Sequence, residues 1–368
     1  MAVIVHDGLD HYAGQSDLQA RQGDLLWNTV SGFNSFVTGR GGYGQAVAIN
    51  DNGTATAGSL GASFAHNYTS GFLGIAILLA PIGTPYFDMR LYDYANQMVQ
   101  MTFRFYLSSG TIVAYNGDPD VPASMPNDLG SSKPNTFNPY VYNFFELGYV
   151  PSNSGSFDIH VNGNSVFSMS GVRTIGTISN LGGLNNWFNG VSWSFANSGG
   201  GGVIAAYLDD FYLCDSTTGP GTYPCNTFLG DCATRTLYTA ANNSVQWTPL
   251  ANANWQEVGH TQFPGDSSYN YATTIGYTDL FTFGSLPTDV SVVFSVQVVG
   301  AYRKLDASAQ TIVQIVKSGS STFTSATPHV LSLGYTYIVD GTVLDPNTSA
   351  SWTPTSVNSL IAGYKLNS

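Results

Sequence analysis

Residues 157–169 read FDIHVNGNSVFSM, and their pattern decides the fold. Phe157, Ile159 and Val161 alternate with Asp158 and His160, the period of two expected of a half-buried strand. Asn162-Gly163 follows, the dipeptide best suited to a two-residue turn whose central residues both take positive φ. Residues 164–169 (NSVFSM) then return, so the stretch predicts an antiparallel hairpin. The same alternation recurs in MTFRF at residues 101–105. Further strands are expected at 36–37, 46–49, 74–79, 112–115, 144–150, 191–195 and 208–213. Strands at such spacing, with few helical patterns between them, predict an antiparallel sandwich or jelly roll.

Residues 216–225 (STTGPGTYPC) are Gly-, Pro-, Ser- and Thr-rich and follow an apolar strand, which is linker punctuation. The β pattern then restarts, with strands expected at 290–299 (VSVVFSVQVV), 311–316, 329–332, 335–339 and 362–366. The chain is therefore expected to be all-β, with two antiparallel β-sandwich domains at 1–215 and 226–368. Helix is expected only in short pieces. One covers residues 17–27, weakened by Gly23. The other covers 357–361, capped by Ser356 after Thr353-Pro354.

Composition agrees with this and excludes several functions. Of 368 residues only 9% are charged, against about 25% in an ordinary soluble domain. Glu146 and Glu257 are the only glutamates, and Lys133, Lys304, Lys317 and Lys365 the only lysines, so the best helix formers are scarce. A net charge of −12 argues against nucleic-acid binding, which needs clustered Lys and Arg. The most apolar stretch, residues 71–82, contains Pro81 and falls short of the roughly 20 residues of a membrane span. The opening MAVIVHDGLDHY has neither a basic nor a long apolar region, so no signal peptide is expected. So little surface charge suits a protein held in an assembly better than a free cytosolic enzyme.

No catalytic constellation stands out. Nucleophile-elbow, Walker and H-E-x-x-H motifs are missing from the sequence. Residues 39–44 (GRGGYG) precede a short strand and are expected to form a flexible turn with close backbone approach, not a phosphate loop. Asp209-Asp210 is the obvious acidic pair. Neighbours on a strand point to opposite faces, so one is expected to bond a loop and the other to be solvated. Asn116, Asp118, Asp120 and Asp128 offer oxygen ligands for calcium but lack EF-hand spacing, and an exposed loop is the expected reading. Cys214, Cys225 and Cys232 lack a fourth zinc ligand and are expected to be reduced thiols. His160 is expected on a solvated face, and His6 and His11 in hydrogen-bonding roles. Trp187, Trp193, Trp247 and Trp255 are expected in cores or interfaces, with sugar stacking left open. No catalytic, cofactor-binding or metal residue is assigned.

Several segments together resemble a family. HDGLDHYAGQSDLQARQG (6–23) resembles the DGFDHY-type opening of tailed-bacteriophage structural proteins. FELGYV (145–150), FDIHVNGNSVF (157–167) and AYLDDFYLCDSTTG (206–219) resemble the back half of a laminin-G or concanavalin A-like lectin jelly roll, whose final strand carries the D-D-x-Y of Asp209, Asp210 and Tyr212. NTFLGDCATRTLYTAANNSVQWTP (226–249), NWQEV (254–258), SSYNYATTIGYTDLFTF (267–283) and DPNTSASWTPTSVNSLIAGYKL (345–366) are similar to the continuation and close of the same phage proteins. Cys232 and Ala233 depart from it, standing where valine or arginine is expected. The resemblance implies a non-enzymatic virion protein of decoration, tail or fibre type, assembled in the host cytoplasm without a cofactor. Its implied partners are other virion proteins and copies of itself, with a trimer as the first expectation. The alternatives are an adhesin for host surface glycan and a glycan-degrading depolymerase. The lectin-like fold alone does not imply sugar binding.

Overall fold

The computed structural model describes residues 3–20, 25–51, 58–80, 86–121, 127–178, 182–183, 185–195, 204–216 and 226–368. The first half begins with β1 (Val3–Asp7), the one-turn helix α1 (Gln15–Gln19), β2 (Leu25–Ser31), β3 (Phe33–Thr38) and β4 (Gln45–Asp51). Then follow β5 (Ser59–Tyr68), β6 (Gly71–Ala80), β7 (Tyr86–Asp93), β8 (Met98–Tyr106), β9 (Thr111–Asn116) and β10 (Asn127–Ser131). It closes with β11 (Tyr142–Val150), β12 (Gly155–Val161), β13 (Asn164–Val172), β14 (Thr177–Ile178), β15 (Gly182–Gly183), β16 (Phe188–Phe195) and β17 (Ile204–Cys214).

These strands form a two-layer antiparallel sandwich. The eight-stranded sheet runs β13-β12-β11-β6-β17-β4-β3, with β1 also on β17. The seven-stranded sheet runs β10-β9-β8-β7-β16-β5-β2. Alternation sends Ile75, Leu147, Ile159 and Leu208 of one sheet and Phe87, Phe103, Phe105 and Trp193 of the other into one core. Edge-to-face rings tie the layers together, Phe103 to Phe157 at 5.3 Å and Phe105 to Phe145 at 5.0 Å between centroids. The β12–β13 hairpin turns at Asn162 (φ 50) and Gly163 (φ 79), as its sequence predicts.

The second half contains β18 (Thr239–Ser244), β19 (Thr248–Pro249), α2 (Asn254–Val258), β20 (Asn270–Tyr271), β21 (Thr278–Phe283) and β22 (Val296–Tyr302). It ends with β23 (Thr311–Ser318), β24 (Ser321–Thr324), β25 (His329–Val330), β26 (Thr336–Thr342), α3 (Pro354–Asn358) and β27 (Ile361–Leu366). A six-stranded sheet, β18-β21-β27-β23-β24 with β25 beside β23, is faced by the two-stranded β22–β26 ladder. Ile338 and Tyr302 of the ladder pack on Phe281, Ile312 and Tyr364 of the sheet. Among the described residues no helix is long and apolar enough to cross a membrane.

Three local expectations change. The helix expected at 17–27 stops at Gln19, because Leu25 and Trp27 are drawn into the sandwich core as β2. Near the C-terminus the cap is Thr353, not Ser356. Thr353 Oγ1 accepts from Ser356 N at 3.1 Å, Pro354 opens α3, and Ile361 already belongs to β27. The strand expected over 290–299 starts only at Val296. Its partner β26 ends opposite, at Thr342, and the chain beyond turns into a Leu344–Ser351 bridge. Apart from Ser216, the expected linker 216–225 lies outside the described residues, as does Cys225.

Candidate functional site

Several residues singled out in the sequence converge on one seam, on the outer face of the eight-stranded sheet. There a strap of residues 228–236 crosses back over the sandwich. The β17–β6 register jumps between Asp209 and Tyr212, and Asp210 takes φ 53. This bulge re-aims two consecutive carboxylates. Asp209 accepts from the backbone of Arg40 at 2.7 Å and of Asp210 at 2.8 Å. Asp210 accepts from Arg40 Nε at 2.9 Å and from Thr234 N at 2.7 Å. Neither is solvated, being only 4% and 3% exposed, so the expectation of one bonded and one solvated aspartate is corrected. The Arg40 guanidinium continues to Asp231 and to the carbonyl of Cys232.

The other motifs end at the same seam. Glu146 Oε1 accepts from Tyr212 Oη at 2.6 Å and from Gly230 N at 2.8 Å. Asp10 accepts from Gln45 N and from Thr236 Oγ1, each at 2.7 Å. Asp7 closes the DGLDHY corner, accepting from Leu9 N, Tyr12 Oη and Trp27 Nε1 at 2.9 Å each. His11 lies against Tyr12 and Tyr337, with ring centroids 4.0 and 5.8 Å away. His160 is not on a solvated face, because the Phe228 ring stacks on it at 3.7 Å. The GRGGYG loop is a turn with close backbone approach, as expected, closed by Gly39 N donating to Gly44 O at 3.1 Å. A Cβ on Gly44 (φ 57) would stand 1.8 Å from Asp10 Oδ1, so only glycine fits there.

Burial sets the electrostatics of this seam. Burial, and then the charge of Asp210, push Asp209 up to about 8, and burial pushes Asp10 up to about 6. Burial also raises Asp210 against the opposing pull of Arg40, and lifts the Cys232 thiol far from the reactive range. With its carboxylates buried and hydrogen-bonded, the seam is arranged as a clasp between strap and sandwich.

A second polar cluster lies on the opposite side of the sandwich, on the outer face of the seven-stranded sheet. Alternation in β7 and β8 puts Tyr86, Asp88, Arg90 and Arg104 outward, opposite Phe87, Met89, Phe103 and Phe105. Arg104 holds Asp88 by a two-pronged pair, both bonds 2.9 Å long, and reaches Asp120 at 2.7 Å. Arg90 reaches Asp88 at 2.8 Å, Asp120 at 2.9 Å and Asp118 at 3.6 Å. The Tyr86 ring covers the Arg104 guanidinium, 3.5 Å from centroid to carbon, and Tyr86 Oη donates to Asp120 at 3.3 Å. Burial opposes ionisation of Asp120, yet Arg104 and Arg90 hold its carboxyl below the usual range.

The oxygen atoms considered for calcium therefore have other partners. Asp118 and Asp120 face guanidinium groups, Asn116 Oδ1 accepts from Asn127 N at 2.7 Å, and Asp128 Oδ1 accepts from Gly130 N at 2.8 Å. Among the described residues no group of three or more His, Cys, Asp or Glu is placed to hold a metal ion. Trp193 packs on Trp27 and Phe211 in the core, and Trp247 on Tyr364. A cavity of about 780 Å³ lies between the halves, lined by Asp7, His11 and Asp210 of the first and by apolar and aromatic groups of the second, Phe281, Val298 and Tyr302 among them. Sequence reasoning missed Arg90, Arg104 and Tyr86. The alternation of MTFRF marks Arg104 as outward, but the register that sets Arg104 opposite Asp88 is a property of the folded sheet.

No protein-family model matches the chain, and no curated protein sequence matches it. Solved structures similar to it include an endo-β-1,4-glucuronan lyase from the fungus Trichoderma reesei, at 14% identity and a TM-score of 0.39, covering 58% of this chain and 95% of that one. A carbohydrate esterase from the Shiga toxin-encoding bacteriophage phi24B matches at 12% identity and a TM-score of 0.36, covering 58% and 97%. The CBM2 module of the evolved Dit of Lactobacillus casei BL23 phage J-1 matches at 11% identity and a TM-score of 0.36, covering 58% and 94%.

Proposed function

We propose that this chain is a non-catalytic structural subunit of a tailed-phage virion, of decoration, tail or fibre type, folded as two units clasped together. The observation that carries the reading is the seam. The segments that resemble phage virion proteins, DGLDHY and FLGDCATR, meet there with the jelly-roll segments FELGYV and LDDFYL, and bonds from Gly230 N to Glu146, Thr234 N to Asp210 and Thr236 Oγ1 to Asp10 lock strap to sandwich. Residues that hold two units rigidly together suit a part built into a larger particle. Exposed apolar side chains support assembly through the second half. Leu305, Val330 and Leu333 are 77%, 71% and 60% exposed, and a bond from Lys304 N to Ser332 O at 2.9 Å brings their segments side by side. Partners are other virion proteins or further copies of the chain, with a trimer as the first state to test.

Mass spectrometry of purified virions, followed by a reconstruction with the chain labelled, tests this. The chain is expected at fixed copy number, and its absence from purified particles overturns the reading. The non-catalytic half predicts no reducing-sugar release from host polysaccharide above that of heat-killed protein. Glycoside hydrolysis needs two carboxylates about 5–10 Å apart across a sugar. Asp209, Asp210 and Glu146 are buried and hydrogen-bonded, and Asp118 and Asp120 are held by arginines. A second reading, a glycan-binding adhesin, is favoured by the tyrosine–arginine cluster on the free side of the sandwich.

A further inference from the structure

We propose that the outer face of β7, β8 and β9 is a binding site for a neutral polysaccharide, centred on Tyr86, Arg90, Arg104, Tyr106, Tyr115 and Asp120. The proposal rests on the adhesin reading and gives it a place and a ligand class.

Three features of the face carry it. The first is position. The strap and the second half cover the outer face of the eight-stranded sheet, where Leu229, Cys232, Phe294 and Val343 pack around Ala76, Phe144 and Tyr212. In a two-layer sandwich the outer face of the other sheet then points away. A subunit anchored through its second half would present this face outward.

The second feature is preorganised polar geometry beside aromatic rings. Arg104 is buried and fixed by Asp88, Asp120 and the Tyr86 ring, so it holds that ring and the Asp120 carboxylate in place without further loss of their side-chain entropy on binding, and Arg90 beside it supplies the partly exposed donor. Asp120 is 42% exposed and offers acceptor oxygens beside it. Tyr86, Tyr106 and Tyr115 are half-buried, and the rings of Tyr86 and Tyr106 meet at 6.0 Å. A sugar ring presents C–H groups on its face and hydroxyls around its rim. It needs flat rings to lie on and fixed donors and acceptors at the edge, and this face supplies both.

The third feature is charge. Two arginines here oppose Asp88, Asp118 and Asp120, so the cluster has no excess positive charge to attract a uronate, sialate or phosphate. The chain as a whole carries −12. An acidic glycan would be repelled at long range and would meet guanidinium groups already paired with carboxylates.

An array of neutral and acidic oligosaccharides, followed by titration calorimetry on the full chain, tests the proposal. Binding is expected to neutral members and to change little when salt is raised about tenfold, since screening acts only on net charge attraction. Tyr86→Ala should weaken binding by about tenfold or more, on the scale of one lost ring contact with its ordered neighbours. Tyr86→Phe keeps the ring and should stay within about threefold of the parent, which separates lost stacking from lost folding. Tyr140→Ala, at a side chain outside the cluster, should bind as the parent does. Failure to bind any glycan overturns both the site and the adhesin reading, and leaves the virion reading standing. Undiminished binding by Tyr86→Ala overturns the site alone. Preference for acidic members overturns the ligand class.

Discussion

Tyr212 and Glu146 bury a phenol and a carboxylate against each other, and the same phenol oxygen accepts from Leu229 N at 3.3 Å. Tyr212→Phe deletes both bonds and leaves a buried carboxylate with one donor fewer. The expected loss is about 1.5–3 kcal/mol of unfolding free energy, read by urea denaturation, as for hydrogen bonds to charged groups. Asp209 makes the seam sensitive to pH. Its ordinary value is 3.8, and burial with the neighbouring charge of Asp210 lifts it to about 8 in the folded chain. The folded state therefore keeps a proton that the unfolded chain releases near pH 4. The stability from this proton is complete below about pH 4 and is lost as pH rises through about 8. Asp10, lifted to about 6, acts in the same direction. The melting temperature should fall between about pH 4 and pH 8 and level off above that, and Asp209→Asn should flatten the fall. An equal fall in the variant would assign the effect elsewhere. Little of this was legible in the sequence. Strand alternation alone separates Asp209 from Asp210, and only the bulge, a tertiary feature, turns them together.

At the scale of elements, the hairpin at 157–169 was fully legible, because its turn chemistry and its alternation point to the same structure. Gly163 sits at φ 79, and an added Cβ would meet nothing within 4 Å. Gly163→Ala should therefore cost only the backbone penalty, about 1 kcal/mol, checked by thermal unfolding. A cost above about 3 kcal/mol would mean that the turn packs against something else. Residues 25–31 show where local reading fails. LLWNTVS follows a helical pattern closely enough to be read as its end, and what makes it a strand is burial of Leu25 and Trp27 between sheets formed by distant residues. The segment 290–295 fails for the converse reason. Its alternation is that of a strand, but among the described residues no strand pairs with it beyond Thr342, and Phe294 packs on the sandwich instead. The outward face of MTFRF could be read from its period. Its pairing with YFDMRLYD could not, since register across strands is set by the whole sheet.

For the whole molecule, exposed large apolar side chains lie on both halves, and Leu305, Val330 and Leu333 of the second, 77%, 71% and 60% exposed, are brought side by side. If this patch is an assembly contact, Leu305→Asp with Leu333→Asp should shift sedimentation at micromolar concentration toward monomer while leaving the circular dichroism spectrum unchanged. An unchanged association state would place the contact elsewhere. The strap bears on how such a particle part carries force. Residues 228–236 are bound to the sandwich through Glu146, Asp210, Arg40 and Asp10, so a pull on the second half loads these bonds first. The strap is a closed buckle, and the buckle sets the tension at which the two halves can part.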